Sequence, residues 1–179
     1  NGDGTFASGG AYSVGGRAAY LVTGDVNNDS HVDLVAANYT DNAVSVLLGN
    51  GSGAFGAPMT YATGGLTAYS VALADFNGDG LEDIAVALYA SGHVGILLNT
   101  GSGGFSSPNI VASGGAYTTV LAADFNHDGD ADLICIDLAQ STIVVLQGDG
   151  TGQFVQHASI PSGGSYPIYG ELADFNNDG

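Results

Sequence analysis

The chain has almost no positive charge. Arg17 is its single Arg or Lys, against 18 Asp and Glu residues, and the formal net charge is −17. Nucleic-acid binding depends on clustered Lys and Arg, so this composition excludes the usual basic surface for that function. Anionic membrane surfaces repel such a chain for the same reason. Because one Arg cannot balance these carboxylates through salt bridges, we expect cations from solution to do so.

Cysteines and long apolar runs are scarce as well. The one cysteine, Cys135, lies in the apolar stretch LICIDL, which excludes a disulfide framework within the chain and predicts a buried thiol. No apolar run approaches the roughly 18 residues of a membrane-spanning helix, so we expect no membrane insertion. The chain has neither an HExxH nor a GxSxG motif, and we do not expect it to be an enzyme.

Glycine and short apolar stretches are abundant. There are 30 glycines, and 45% of the residues are hydrophobic. Runs such as YSVALAD, IAVALY and HVGILLN are rich in Val, Ile and Tyr and are separated by Gly, Asn, Asp and Ser, which predicts short strands joined by tight turns. No capped amphipathic stretch indicates a helix. The fold class is therefore predicted to be all-β.

An acidic phrase recurs along the chain. It reads DVNNDSHVD, DFNGDGLED, DFNHDGDAD and DFNNDG, and its first residues are Asp25, Asp75, Asp124 and Asp174, in steps of 50, 49 and 50 residues. A Gly-rich turn that ends in Phe keeps the same period. Four strands in roughly 50 residues make one blade of a β-propeller. Residues 1–179 then form a single propeller domain or propeller fragment, and 179 residues at this period make about 3.6 four-stranded antiparallel blades.

The acidic phrase has the pattern of a calcium loop. Oxygen side chains stand at positions 1, 3, 5 and 9, and a backbone carbonyl is expected at position 7, which suits a cation that prefers six to eight oxygen ligands. Two carboxylates about 4 Å apart repel by roughly 4 kcal/mol at an effective dielectric of 20, so a divalent ion is expected between them. The predicted ligands are Asp25, Asn27, Asp29, His31 and Asp33; Asp75, Asn77, Asp79, Leu81 and Asp83; and Asp124, Asn126, Asp128, Asp130 and Asp132.

An EF-hand is excluded as the explanation. Position 12 of the three loops is Ala36, Val86 or Cys135, where an EF-hand requires Glu, and strands rather than helices are predicted on both sides. The fourth copy has Asp174, Asn176 and Asp178 but lacks position 9, so we expect three complete calcium sites and an incomplete fourth. Ser30 replaces glycine at position 6 of the first loop, which is expected to strain or weaken that site.

These loops, the GxGxF turns and the 50-residue period resemble the FG-GAP/VCBS repeats, similar to those of integrin α-subunit propellers and many secreted bacterial proteins. The resemblance covers essentially the whole chain. It implies a propeller with calcium in the hairpin that joins the first two strands of each blade, in an extracellular or cell-surface protein. It also implies a function in adhesion or protein interaction, with the calcium structural.

Two binding functions and one enzymatic function remain open from the sequence. The chain is either a calcium-stabilised adhesion or protein-interaction module, or a calcium-dependent lectin; a propeller domain of a polysaccharide-degrading enzyme is a third alternative. Tyr39 and Tyr89 occupy the same repeat position at the end of a predicted strand and are the candidate ligand-binding residues. Other tyrosines lie in or near predicted turns: Tyr12, Tyr69, Tyr117, Tyr166 and Tyr169.

The number of repeats leaves the assembly open. A typical ring of the resembled family has seven blades, more than this chain supplies. The chain is therefore an excised fragment, one of several chains that complete a ring, or a four-bladed ring with a truncated blade. Open blade edges present unpaired N–H and C=O groups, so we expect self-association that completes a ring.

Overall fold

The computed structural model describes residues 10–173, in which every regular element is a β-strand. The first sheet contains β1 (Ala18–Gly24), β2 (Asp33–Asn38), β3 (Ala43–Leu47) and β4 (Met59–Ala62). The second sheet contains β5 (Ala68–Ala74), β6 (Asp83–Leu88), β7 (His93–Leu97) and β10 (Asn109–Ser113). Between β7 and β10, β8 (Asn99–Gly101) and β9 (Gly104–Phe105) form a small hairpin. The third sheet contains β11 (Tyr117–Ala123), β12 (Asp132–Asp137), β13 (Thr142–Gly148) and β14 (Phe154–Pro161).

Each four-stranded sheet comes from one sequence repeat. Its strands are antiparallel and lie side by side in chain order. The all-β prediction is confirmed, as is the predicted unit of four antiparallel strands in each of the three repeats that lie within residues 10–173. No helix in these residues is long and apolar enough to cross a membrane.

The three sheets pack face to face, with the second in the middle. One apolar cluster joins the first and second sheets, and another joins the second and third. Successive residues of β6 alternate between them: Ile84 and Val86 face the first sheet, whereas Ala85 and Ala87 face the third. Because both faces of β6 are covered, its sequence is a continuous apolar run rather than an alternating one. Cys135 is buried in the second cluster, as its sequence context predicts.

A β-bulge recurs near the start of the first strand in every sheet. The register with the second strand shifts between Ala18 and Tyr20, between Ala68 and Ser70, and between Tyr117 and Thr119. A bulge leaves one residue unpaired and can redirect its side chain. In the second sheet that residue is Tyr69.

The segment after the third sheet returns to the first strands. The Thr119 hydroxyl donates a hydrogen bond to the Ile168 carbonyl at 3.2 Å. The ring of Tyr169 lies 6.4 Å from that of Tyr20 in β1. Tyr20 and Tyr169 are equivalent in the repeat, since each stands five residues before the first aspartate of its acidic phrase. Equivalent residues of the first and fourth repeats therefore meet.

Candidate metal-binding loops and tyrosine row

The three complete acidic phrases form equivalent loops. Residues 25–32, 75–82 and 124–131 each join the first and second strands of a sheet. Because the strands are antiparallel, the Gly-rich turn between the third and fourth strands lies at the same end of the sheet as its acidic loop. The turns that follow Tyr39 and Tyr89 lie at the opposite end. The fourth acidic phrase, with Asp174, Asn176 and Asp178, lies outside the described residues.

Within each loop, positions 1, 3 and 5 form the same set of hydrogen bonds. In the second loop, the Asp75 carboxylate accepts from the Gly80 N–H at 2.7 Å. Asn77 Nδ2 donates to Asp79 at 3.0 Å, and the Leu81 N–H donates to the other Asp79 oxygen at 2.9 Å. The equivalent bonds form in the first and third loops. The oxygen-bearing side chains are thus held in one arrangement three times over.

The buried aspartate at position 9 joins each loop to the Gly-rich turn of its own sheet. One Asp83 oxygen accepts from the Phe76 N–H at 2.9 Å, and the other accepts from the Asn99 N–H at 2.7 Å. Asp33 and Asp132 accept from the equivalent pairs of backbone N–H groups. The spacing predicted this residue as a cation ligand but contained no signal for its backbone role.

Burial raises the pKa of two of the position 9 aspartates. It raises the pKa of Asp83 to about 6, against the lowering effect of the Asn99 and Phe76 amides. The nearby charges of Asp79 and Asp75 raise it further. Burial also raises the pKa of Asp33, again against two backbone amides. A cation in either loop would favour the ionised form that burial disfavours.

The left-handed backbone at position 6 is present in all three loops. Ser30 has a φ of 66°, whereas its counterparts Gly80 and Gly129 have values of 82° and 96°. A left-handed conformation costs a non-glycine residue roughly 1–2 kcal/mol. The strain predicted for Ser30 therefore has a backbone origin, and the serine retains the turn that glycine forms elsewhere.

The loops fit calcium in donor type and spacing. Every predicted donor is an oxygen, and a carboxylate oxygen that accepts an amide still has a second lone pair. Among residues 10–173, however, no three His, Cys, Asp or Glu side chains are gathered closely enough to hold a metal ion. The position 1 and 5 carboxylates accept hydrogen bonds from loop amides.

A polar contact crosses from the second sheet to the first loop. Glu82, at position 8 of the second loop, extends into the space that a Cβ on Gly24 would fill. Its Oε2 atom is buried and has no hydrogen-bond partner. Burial raises the pKa of Glu82; the Asp25 backbone amide opposes this change, and the charges of Asp25 and Asp33 add to it. The spacing of the acidic phrase did not indicate this residue.

The two candidate ligand-binding tyrosines belong to a row of three. The ring centroid of Tyr69 lies 6.1 Å from that of Tyr39 and 5.8 Å from that of Tyr89. The Arg17 guanidinium stands 5.6 Å from the Tyr39 ring centroid. All three tyrosines are half-buried. The repeat predicted the equivalence of Tyr39 and Tyr89 but not the bulge that places Tyr69 between them.

Open pockets flank this tyrosine row on both sides. One, of about 300 Å³, is lined by Arg17, Tyr39 and Tyr69 together with two alanines. The other, of about 410 Å³, includes Tyr89 and Tyr166. The row therefore presents aromatic surface beside solvent-accessible recesses, at the end of the sheets opposite to the acidic loops.

The fold and the loops define a repeat protein built from four-stranded antiparallel units, each with an acidic loop between its first two strands. The FG-GAP-like repeat family matches residues 25–86 and 75–135, more than half of the chain. The chain belongs to this FG-GAP-like repeat family.

Two solved structures show the same fold at low sequence identity. A lectin of Agrocybe aegerita that recognises non-reducing terminal N-acetylglucosamine is 23% identical, with a TM-score of 0.57 over 74% of this chain and 36% of the lectin. BBS1N in complex with ARL6DN is 15% identical, with a TM-score of 0.52 over 83% of this chain and 45% of BBS1N. The chain thus spans less than half the length of either structure. No curated protein matches it.

Proposed function

We propose that the chain is a non-catalytic, calcium-binding β-propeller module of an extracellular or cell-surface protein, in which calcium is structural and the surface binds a macromolecular partner. The sheets are its blades, and their first strands surround a common axis. The contact between Tyr20 and Tyr169 supports this arrangement, because residues at the same position of different repeats meet across such an axis.

The observation that carries the calcium proposal is the threefold repetition of the acidic loop. Three loops at equivalent positions share the bonds of positions 1, 3, 5 and 9, and all their predicted donors are oxygens. We expect dissociation constants of about 10⁻⁴ to 10⁻³ M, the range of extracellular calcium modules. At such affinities the loops fill outside cells, where calcium is abundant.

Amide NMR of the chain during a CaCl₂ titration tests this proposal loop by loop. The Gly78, Gly80 and Gly129 resonances report on the second and third loops, and Ser30 reports on the first. We expect all three loops to respond and saturate in the millimolar range. A paired Asp75→Asn and Asp79→Asn variant should lose only the response of the second loop. Absence of any loop response at 10 mM calcium would refute the calcium proposal.

Carbohydrate binding is the second candidate function, and the tyrosine row favours it. Aromatic faces beside recesses suit stacking on sugar rings, although tyrosines are also enriched at protein interfaces. The similar lectin recognises terminal N-acetylglucosamine, which makes that sugar the first ligand to test. A glycan array with Tyr39→Ala, Tyr89→Ala and a Tyr12→Ala control separates the two functions. Sugar-selective binding that only the row variants abolish supports a lectin; no glycan binding supports a protein partner.

We further propose that chains associate to complete a ring. Leu21 in β1 and Ile160 in β14 are about half exposed, at 53% and 50%, on the first and third sheets. Light scattering after gel filtration, in millimolar calcium and then in chelator, tests this. We expect a multiple of 17.8 kDa in calcium. A monomer at every chain concentration would contradict self-association without affecting the calcium proposal.

A further inference from the structure

The only Arg or Lys side chain of the protein lies beside the tyrosine row. The Arg17 guanidinium carbon stands 5.6 Å from the centroid of the Tyr39 ring. Both residues line the recess of about 300 Å³ that also includes Tyr69. The one guanidinium of the chain therefore stands in an open recess together with two aromatic rings.

No acidic side chain among residues 10–173 forms an ion pair with Arg17. The ion pair in those residues joins His31 to Asp29, in the first acidic loop. Asp41 lies beside Gly16, but its oxygens accept from the Gly16 N–H at 2.7 Å and from the Thr40 hydroxyl at 3.2 Å. A guanidinium offers several N–H donors in a planar fork that matches a carboxylate. These donors are therefore available to an acidic ligand.

Backbone hydrogen bonds fix the base of the Arg17 side chain. The Tyr39 N–H donates to the Arg17 carbonyl at 2.8 Å, and the Arg17 N–H donates to the Thr40 hydroxyl at 3.0 Å. The guanidinium and the Tyr39 ring thus extend from two backbone segments that are bonded to each other. Such preorganisation lowers the cost of binding a ligand between them.

The β-bulge of the first sheet keeps the recess open. Ala19 is the bulged residue there, and it occupies the repeat position that Tyr69 occupies in the second sheet. Where the second sheet adds an aromatic ring to the row, the first sheet therefore has only a methyl group. Ala18 and Ala19 are both exposed and both line the recess. These small side chains leave space for a ligand between Arg17 and the tyrosines.

Most of the acidic side chains lie at the opposite end of the sheets. The acidic loops are separated from the tyrosine row by the second strands, and a strand of six residues spans ~20 Å. The Debye length is about 8 Å at physiological ionic strength, so the charge of the loops is largely screened at this distance. The local guanidinium then determines the attraction for an anionic group in the recess.

We propose that this recess binds a sugar that carries a carboxylate, such as a hexuronic acid, with its ring against the tyrosines and its carboxylate on Arg17. The proposal rests on the second candidate function, carbohydrate binding, and adds the class of sugar. Guanidinium and carboxylate form paired, charge-assisted hydrogen bonds, and tyrosine offers an aromatic face to the sugar ring. A neutral sugar leaves the guanidinium unpaired, so the recess distinguishes sugars by charge.

NMR titration with glucuronate and with its neutral methyl ester tests this proposal. The chain has a single Arg, so the side-chain Nε–H signal of Arg17 is unique and reports directly on the guanidinium. We expect glucuronate to shift this signal and to bind about tenfold more tightly than the ester, as expected for a charge-assisted hydrogen bond.

Variants of the recess separate the guanidinium from the rings. Arg17→Gln should weaken glucuronate binding about tenfold and should leave binding of the methyl ester unchanged. Arg17→Lys keeps the charge without the planar fork and should restore part of the lost affinity. Tyr39→Ala should weaken binding of both sugars, whereas the control Tyr12→Ala should weaken neither.

Three results would overturn the proposal. Equal affinity for glucuronate and its methyl ester would do so and leave carbohydrate binding intact, as would unchanged glucuronate affinity in Arg17→Gln. A tetraglutamate peptide that binds as tightly as glucuronate would assign the recess to acidic peptides instead. Failure of carbohydrate binding itself is a distinct result, in which neither glucuronate, its ester nor N-acetylglucosamine shifts any signal of the recess.

Discussion

The two interfaces between sheets solve the same packing problem in different ways. At the interface between the second and third sheets, the rings of Phe76 and Phe154 lie 5.5 Å apart, and the Gly152 N–H donates to the Phe76 carbonyl at 2.8 Å. At the interface between the first and second sheets, the equivalent carbonyl, that of Val26, accepts from the Asn99 side chain. Glu82 fills the space beside it.

The difference indicates what each interface requires. The second interface, between the second and third sheets, is completed by aromatic and alanine side chains. The first interface, between the first and second sheets, contains the half-buried carboxylate of Glu82 and the buried side-chain amide of Asn99, so it is completed by polar side chains. Variants that disrupt each interface therefore test whether the two interfaces are stabilised by different kinds of contact.

The largest expected effect is at the second interface. Phe76→Ala removes a side chain that is 2% exposed and should lower the free energy of unfolding by roughly 3–5 kcal/mol. Val26→Ala, at the equivalent position of the first interface, removes only two methyl groups and should cost about 2 kcal/mol. Denaturant unfolding measures both. Equal losses would show that the aromatic pair does not distinguish the interfaces.

A pH effect of about 2–3 kcal/mol is expected from Asp83 in the absence of calcium. Its pKa is about 6 in the folded chain and 3.8 when exposed, so the folded state binds the proton more tightly. Its contribution to stability is complete below pH 4 and is lost as the pH rises through 6. Unfolding in chelator between pH 4 and 7 should show this decline, and Asp83→Asn should flatten it. If Asp83→Asn leaves the pH dependence of unfolding unchanged, titratable groups other than Asp83 cause that dependence.

Gly24→Ala should destabilise the first interface by roughly 1–3 kcal/mol, because the added Cβ collides with Glu82. The double variant Gly24→Ala and Glu82→Ala gives the first interface the alanines of the second. It should recover most of the loss, because an alanine at position 82 leaves room for the added Cβ. A double-mutant cycle monitored by thermal unfolding measures the coupling. Additive effects would contradict the packing of Glu82 against Gly24.

The smallest expected effect is that of Asn99→Ala. It leaves the Val26 and Glu82 carbonyls without their side-chain donor and should cost about 1–2 kcal/mol. Asn109→Ala is a suitable control, because the Asn109 side chain is exposed and its bond to Gln153 is long at 3.5 Å. Chemical unfolding of both variants compares them. A loss no greater than that of the control would show that Asn99 does not tie the two loops.

The sequence predicted the structural features that recur in every repeat and did not predict those that occur in a single repeat. Period, strand content and the location of the acidic loops follow from patterns present in every unit. Glu82 and Gly24 each occur in one repeat only. Their roles depend on a contact between residues that are 58 positions apart in the chain. Local spacing contains no signal for such a contact. The bulge that places Tyr69 between Tyr39 and Tyr89 likewise depends on the register of paired strands.

The backbone function of the position 9 aspartates has a similar explanation. A carboxylate at that spacing predicts a cation ligand, but its two amide donors come from different parts of the repeat. For Asp83 these donors are Phe76 and Asn99, seven and sixteen residues away. The latter is in the Gly-rich turn, which becomes a neighbour only when the third strand pairs with the second.

Thermal unfolding in 10 mM CaCl₂ against chelator, with 10 mM MgCl₂ as the control, tests the central claim most directly. At the expected affinities each filled loop adds about 1.4–2.7 kcal/mol, so three loops should raise the midpoint on the order of 10–30 °C. Magnesium should give little of this increase, because it demands a tighter octahedral shell. The same midpoint in calcium, magnesium and chelator would contradict calcium-stabilised loops.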